Sequence, residues 1–191
     1  MSDVVVEEKD SSVVIRFNHP ALRSPLSIDV LEQLTRNIDD IELRDDLRSV
    51  IFTGVDEVFA SGADLREIAL VGAEGAREFA RRGQDLMNRI SKLRFKTIAA
   101  VNGVCFGGAL DLALACDRRI ASVSAVFSHP GSGLGIITGW GGTQRLPRLV
   151  GEAIALEMFF TGKRLTSDEA LRCGLVDRVE NDVLAAAVVD G

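Results

Sequence analysis

The chain has 191 residues, of which 47% are hydrophobic and 26% are charged, as is typical of a globular protein with a core of its own. Its net charge of −6 argues against broad binding to the phosphate backbone of nucleic acids. The scattered cysteines, Cys105, Cys116 and Cys173, predict a reducing compartment, the cytoplasm, and no metal site. No signal peptide is expected, and the apolar run Thr97–Cys116 is not expected to span a membrane because it contains three glycines and Asp111.

Strand and helix patterns alternate along the chain. Ser12–Phe17 predicts a strand, and Ser27–Leu43 predicts an amphipathic helix because its apolar residues recur at spacings of three and four. Further strands are predicted at Ser49–Thr53, Thr97–Val101, Arg119–Val123, Ala125–Ser128 and Leu175–Val179. Further helices are predicted at Ala63–Leu70, Gly75–Leu93, Gly108–Cys116, Gly151–Phe160, Thr166–Cys173 and Asn181–Val189. The glycine-rich stretch Gly131–Gly142 is predicted to be irregular.

This succession of strands and helices predicts an α/β fold with parallel strand pairing. No linker divides the chain, so we expect a single domain over residues 1–191. The last predicted helix, Asn181–Val189, ends with the chain, and we expect it to have little to pack on unless a neighbouring molecule covers it.

Asp111 is the most informative single residue, because it is the only charged residue between Lys96 and Asp117. A carboxylate among apolar side chains is costly unless a partner, a role or a local hydrogen bond holds it there. It follows Gly108 by three residues, which predicts a place on the first turn of a buried helix, beside unpaired backbone N–H groups. Burial there is expected to raise the pKa of the carboxyl, which suits proton transfer.

Two glycine-rich turns, Ser61–Leu65 and Cys105–Asp111, precede predicted helix starts. Glycine lets the backbone come close to a ligand with its N–H groups pointing outward. Two such groups that converge on one oxygen would form an oxyanion hole, which stabilises a carbonyl as it becomes an enolate or a tetrahedral adduct. Alternatively, both turns are ordinary helix entries in which Asp64 and Asp111 complement the helix N-termini, and the spacing alone favours this second interpretation.

The turns nevertheless resemble motifs of the crotonase, or enoyl-CoA hydratase/isomerase, superfamily. The segments that carry the resemblance are Val58–Leu65, Ala100–Asp117, Leu134–Ile137, Gly139–Arg148, Phe160–Gly162, Ala170 and Gly174–Val176. The resemblance implies a ClpP/crotonase spiral of repeated ββα units that binds an acyl-CoA thioester as its substrate and needs no other cofactor. It also implies that most of the usual C-terminal helical region is absent, so we expect either a fragment or a chain that assembles differently. The expected partner is a further copy of the same chain, in a homo-oligomer (a trimer or hexamer).

The resemblance assigns site residues by position. The backbone N–H groups of Ala63 and Gly108 are expected to hold the thioester oxygen. Contacts to CoA or to the rest of the substrate are expected at Leu22, Arg23, Ala60, Ser61, Asp64, Leu65, Gly131 and Trp140.

Hydratases of the superfamily use two acids, and only one of them is present here. Asp111 stands where the hydratase pattern has Glu, and Gly131 stands where the second acid is expected. No Asp or Glu lies between Asp117 and Glu152, so no small shift in register restores it. Three interpretations follow. In the first, Asp111 alone does acid–base chemistry beside an enolate, as in an isomerase, a decarboxylase-like enzyme or a weak hydratase. In the second, an anion such as bicarbonate replaces the second acid, and in the third, the chain binds acyl-CoA without turnover.

The sequence leaves two roles open for each of His129 and Trp140. His129 could substitute for the missing acid as a base, although a histidine before Pro at a strand end is more often a hydrogen-bonded structural residue. Trp140 could line the acyl pocket or pack in the core, and the sequence favours neither.

Overall fold

The computed structural model describes residues 3–191. Strands β1 to β12 are Val4–Lys9, Ser12–Phe17, Pro25–Leu26, Ser49–Thr53, Val58–Ala60, Gly62–Ala63, Lys96–Val101, Val104–Phe106, Arg118–Ser122, Val126–Ser128, Leu165–Thr166 and Arg178–Glu180. Helices α1 to α8 are Ile28–Glu42, Leu65–Ile68, Ala73–Ile90, Gly108–Ala115, Gly142–Val150, Glu152–Thr161, Ser167–Arg172 and Val183–Asp190. Two 3₁₀ helices span Pro20–Leu22 and Pro130–Leu134.

The strands form two main sheets that the chain enters in turn. A six-stranded sheet has the order β1-β2-β4-β7-β9-β12 and is parallel except for the β1–β2 pair. A four-stranded sheet has the order β11-β10-β8-β5, and β5, β8 and β10 pair in parallel. In each of the pairs β4–β5, β7–β8 and β9–β10, the first strand joins the large sheet, the second joins the small sheet, and helical structure follows. This is the predicted spiral of ββα units.

A short corner separates the two strands of each pair, and Asn102 connects two of these corners. Its side-chain oxygen accepts from the Gly54 amide at 2.9 Å, and its side-chain nitrogen donates to the carbonyls of Asp56 and Val58 at 2.9 and 3.1 Å. The next residue, Gly103, lies so close to the neighbouring turn that a Cβ there would be 1.8 Å from the Glu57 carbonyl oxygen. The successive turns of the spiral are therefore stacked in direct backbone contact.

The apolar core lies in two clusters, one on each side of the large sheet. The larger cluster fills the interior between the sheets and helices, and the smaller one lies on the other face of the large sheet, under α8. Val183 and Ala187 of α8 are buried against Ile51 and Ile98 of the sheet. The prediction that the last helix has little to pack on is therefore wrong, because that helix covers a sheet face of its own chain.

Most predicted elements are confirmed within a few residues, and the differences have local causes. The expected helix Ala63–Leu70 is shorter, at Leu65–Ile68, because Gly62–Ala63 pairs with Pro25–Leu26 as a strand. The expected strand Leu175–Val179 begins later, at Arg178. The longer elements that were not predicted are the strands Val4–Lys9, Val58–Ala60 and Val104–Phe106 and the helix Gly142–Val150, and the two-residue strands and the 3₁₀ helices were not predicted either. The helix Gly142–Val150 starts on glycines and contains Pro147, so its own sequence predicts no helix and its packing must supply the stability.

Candidate active site

A cavity of about 440 Å³ opens where β6, the start of α4 and the Pro130–Leu134 helix face α3. Its wall is largely apolar with a few polar groups, as is usual for a site that holds a small molecule. The predicted site residues that line it are Ser61, Ala63, Leu65, Gly108, Asp111, Gly131 and Trp140. The predicted site residues that do not line it are Leu22, Arg23, Ala60 and Asp64.

The two backbone amides expected to hold an oxyanion come from neighbouring elements. Ala63 ends β6, and Gly108 begins α4, so the Gly108 N–H has no acceptor within its own helix. The two elements are in close contact, since a Cβ on Gly62 would lie 3.1 Å from the Gly108 nitrogen. The fold therefore brings both residues to one part of the cavity wall, and their joint hold on one oxygen atom stays a prediction.

The turn expected to meet CoA lies beside this wall. The Ser61 amide donates to the carbonyl oxygens of Arg23, at 3.1 Å, and Ser24, at 3.4 Å. Leu22 and Arg23 are exposed, whereas Ala60 is fully buried in β5. Leu22 and Arg23 thus lie at the protein surface next to Ser61, outside the cavity that would hold an acyl chain.

Asp64 has a local structural role. Its carboxylate accepts a hydrogen bond from the Arg66 amide at 2.8 Å, which caps α2, and it forms an ion pair with the Arg66 guanidinium. The hydrogen bond from the Arg66 side chain lowers the pKa of Asp64. The position of Asp64 therefore fits the interpretation of an ordinary helix entry, and its contact with the substrate stays a prediction.

Asp111 lies on the first turn of α4, fully buried at 0% exposure, as predicted. Its Oδ2 accepts hydrogen bonds from the Thr138 hydroxyl and, at 3.3 Å, from the Trp140 amide, whereas Oδ1 has no hydrogen-bond partner among residues 3–191. Burial raises the pKa of Asp111 to about 7, although the hydrogen bond from Thr138 acts in the opposite direction. A carboxyl with this pKa can hold or release a proton near neutral pH.

His129 lies next to this carboxyl without a hydrogen bond of its own. It is 3% exposed, and neither ring nitrogen has a partner in the described part of the chain. Its Nε2 lies 3.7 Å from Asp111 Oδ1, and its ring packs against Phe159 with centroids 5.1 Å apart. Burial lowers the pKa of His129 to about 4, so the ring is neutral at neutral pH. The hydrogen bond expected for a structural histidine is therefore not formed with any of residues 3–191, although the ring is packed in the protein interior.

Trp140 combines the two roles that the sequence left open. It is 2% exposed and packs between α3 and α4, since a Cβ on Gly83 or on Gly108 would lie 2.2 or 2.3 Å from its ring atoms. It also lines the cavity, next to Phe79, whose ring centroid lies 5.8 Å away. The cavity wall and the core share this side chain. Thr138, which binds Asp111, was not singled out from the sequence because only the conformation of the loop brings it there.

The two shifted groups are expected to give opposite dependences of stability on pH. Between pH about 4 and about 7, folded Asp111 keeps a proton that the unfolded chain releases, so its contribution to the free energy of unfolding falls as pH rises. Between pH about 4 and about 6.5, the unfolded chain binds a proton that folded His129 does not, so its contribution rises. Each slope is at most about 1.4 kcal/mol per pH unit, and the two oppose each other.

Asp111→Asn removes the contribution that falls with pH, so the free energy of unfolding of this variant should rise from pH about 4 to about 6.5. His129→Gln removes the contribution that rises, so the free energy of unfolding of that variant should fall over the same range. Urea unfolding of both variants across the range measures the slopes. Asp40→Asn, which changes an exposed carboxylate on α1, is the control and should leave the profile unchanged. Parallel profiles for all variants would show that the two groups do not titrate differently in the folded and unfolded states.

A model of the enoyl-CoA hydratase/isomerase family matches residues 7–189, which is nearly the whole chain. The chain belongs to this family. It is 39% identical over 180 residues to a short-chain-enoyl-CoA hydratase of Clostridium acetobutylicum, covering 94% of this chain and 69% of that protein. It is 38% identical over 178 residues to a crotonyl-CoA hydratase of Syntrophomonas wolfei, covering 93% of this chain and 68% of that protein. The chain thus spans about two thirds of the length of these relatives.

Solved structures of the enoyl-CoA hydratase/isomerase family have the same fold. The enoyl-CoA hydratase of Bacillus anthracis superposes with a TM-score of 0.92 at 36% identity, covering 99% of this chain and 74% of that one. The enoyl-CoA hydratase of Thermoplasma volcanium gives a TM-score of 0.93 at 32% identity, covering 98% of this chain and 76% of that one. The predicted crotonase spiral is confirmed.

This member of the enoyl-CoA hydratase/isomerase family has Gly131 where a second acid is expected, and the backbone is folded tightly around it. The Ile136 amide donates to the Gly131 carbonyl at 3.0 Å, and a Cβ on Gly131 would lie 2.7 Å from the Ile136 carbonyl oxygen. The position of a side chain at residue 131 is therefore filled by the turn itself. This does not favour an anion bound at that point.

No group of three or more His, Cys, Asp or Glu side chains within residues 3–191 is placed to hold a metal ion. In the same part of the chain, no helix is both long and apolar enough to cross a bilayer.

Proposed function

We propose that the chain binds a short-chain acyl-CoA thioester in the cavity and stabilises its enolate, with Asp111 carrying a proton to and from C2 of the acyl group. The observation that supports this most directly is the buried Asp111 carboxyl on the cavity wall, which has a pKa of about 7 and one oxygen without a hydrogen-bond partner among residues 3–191. The names of the relatives, which act on short-chain enoyl-CoA and crotonyl-CoA, support the choice of substrate.

In this proposal, the amides of Ala63 and Gly108 hold the thioester oxygen as negative charge develops on it. Such donors act strongly in a cavity from which water is excluded, and removal of one typically costs about 10²–10³ in rate. The apolar cavity wall holds the acyl chain, with Leu65 and Trp140 among its residues, and the surface beside Ser61, Leu22 and Arg23 receives the CoA moiety.

A non-catalytic acyl-CoA-binding subunit is the second candidate, and the glycine at position 131 favours it because that position supplies no acid. A homo-oligomer, a trimer or hexamer, is proposed for either function. Two side chains of α6 support it, since Phe160 and Leu156 are large, apolar and exposed, and an oligomer contact would bury them.

Turnover and binding measured together separate the two candidates. Deuterium exchange at C2 of butyryl-CoA in D₂O reports enolate formation, and the absorbance of crotonyl-CoA reports loss of its double bond. We expect exchange that depends on enzyme concentration, together with saturable binding of acetoacetyl-CoA in calorimetry. Binding without exchange would support the subunit instead, and activity that rises with added bicarbonate would support an anion in place of the second acid.

A further inference from the structure

The buried imidazole of His129 is the feature that the proposed function leaves unused. An imidazole always has at least one N–H donor and, when neutral, one acceptor nitrogen. Both ring nitrogens of His129 are buried without a partner among residues 3–191. Buried polar groups are nearly always hydrogen-bonded, so an exception of this kind points to a ligand or a chemical role.

The surroundings of His129 place it at the reacting end of the cavity. His129 and Asp111 both line the cavity, together with Ala63 and Gly108, whose amides are proposed to hold the thioester oxygen. The 3.7 Å between His129 Nε2 and Asp111 Oδ1 is longer than a hydrogen bond. Hydrogen bonds of this kind are often long in a site without substrate and shorten when the site is occupied.

Among the described residues that line the cavity, Asp111 is the only other side chain with a titratable base. Asp111, the one acid at a family position, transfers the proton at C2 in the proposed function, and Gly131 has no side chain. Thr138 donates its hydroxyl to Asp111. Arg145, whose charge also acts on Asp111, is a cation and cannot serve as a base.

We propose that His129 is the base that activates water for addition to the enoyl thioester, and that it then passes the water's proton to Asp111. This inference rests on the proposed function and specifies its reaction as hydration. His129 thereby takes over the proton transfer for which the chain has no second acid.

Every bond and proton in the step is accounted for. The water oxygen bonds to C3 while one of its protons moves to His129 Nε2, and the C2–C3 π electrons move to form the enolate held by Ala63 and Gly108. The enolate then takes the Asp111 proton at C2, which leaves a carboxylate beside a protonated imidazole. The proton on Nε2 moves to this carboxylate, and both residues return to their starting forms with one H and one OH added to the substrate.

The opposite charges that arise in this step stabilise each other. His129 becomes a cation when water adds, and Asp111 becomes an anion when the enolate takes its proton. From that point the two charges lie beside each other, with their nearest atoms 3.7 Å apart in a buried site where charges are poorly screened. An isolated buried imidazole is a weak base, but a neighbouring carboxylate favours its protonated form. The pair can therefore exchange protons without either group meeting bulk water.

The test compares water addition with enolate formation in His129→Gln, which cannot accept the proton. Water addition to crotonyl-CoA should fall about 100-fold, whereas deuterium exchange at C2 of butyryl-CoA, which uses Asp111, should change by less than about fivefold. His19→Gln is the matched control, because the other histidine of the chain pairs with Asp3 and does not line the cavity. In His129→Ala, added imidazole should restore part of the water addition.

Each other outcome overturns the inference. Water addition within about fivefold of the unmodified chain would show that His129 is not the base, and an equal loss of both activities would show a structural role. If the unmodified chain catalyses exchange but no water addition, the inference fails and the proposed function stands. If it catalyses neither reaction, the proposed function fails and the inference fails with it.

Discussion

Asp111→Asn is expected to lower both C2 exchange and turnover of crotonyl-CoA by about 10²–10⁴-fold, the usual contribution of a positioned acid or base. The amide has the shape of the carboxyl, and its oxygen can still accept from Thr138 and from the Trp140 amide, so the fold around α4 should be kept. The amide can neither carry a proton to C2 nor take one from His129 Nε2, so the substitution removes proton transfer and keeps the shape of the side chain.

Binding should separate from turnover in this variant. The thioester oxygen is expected to be held by backbone amides of Ala63 and Gly108, which the substitution does not touch, so acetoacetyl-CoA should bind with an affinity within about fivefold of the unmodified chain. Asp40→Asn, an exposed carboxylate on α1, should change neither measurement. Turnover that stays within about tenfold in Asp111→Asn would show that another group carries the proton.

Gly83→Ala, which adds a single methyl group, is expected to lower the stability of the fold. A Cβ there would lie 2.2 Å from Trp140 Cδ1, and the indole cannot retreat because it also packs on Gly108. Overpacking of this kind typically lowers the free energy of unfolding by about 1–3 kcal/mol. Because Trp140 also lines the cavity, its displacement should weaken acyl-CoA binding as well.

Gly75→Ala, on the same helix as Gly83, should change the free energy of unfolding in the opposite direction. A Cβ on Gly75 would contact only Val71 Cγ1, at 3.7 Å, which is an ordinary contact distance. Gly75→Ala should therefore raise stability by about 0.4–1 kcal/mol, because it restricts the unfolded chain. Thermal unfolding measures both variants, and about 1 kcal/mol corresponds to about 2–4 °C at this chain length. Equal effects at the two glycines would show that Trp140 is not held between α3 and α4.

Much of the fold could be predicted from local sequence. Ser49–Thr53 and Thr97–Val101 are runs of buried residues, as parallel strands covered on both faces require, and α1 is an amphipathic helix with Ser27 as its cap. The helix Gly142–Val150 could not be predicted, because glycines and Pro147 disfavour a helix and only its packing against α4 and α6 supports one.

For the candidate site, the sequence by itself determined which chemical groups are present. It has one carboxyl, Asp111, in an apolar run after a glycine-rich turn, and it has no acid at Gly131. These facts follow from residue identity and from the local cost of placing a charge among apolar neighbours, and no folding of the chain can change them.

Only the tertiary structure decided which of these groups meet. His129 and Asp111 are separated by 18 positions and belong to different turns of the spiral, yet their side chains lie 3.7 Å apart and share one cavity wall. The same packing buried the imidazole without a hydrogen bond to any of residues 3–191. Whether a buried polar side chain has a hydrogen-bond partner depends on residues that are distant in sequence, so spacing along the chain does not predict it.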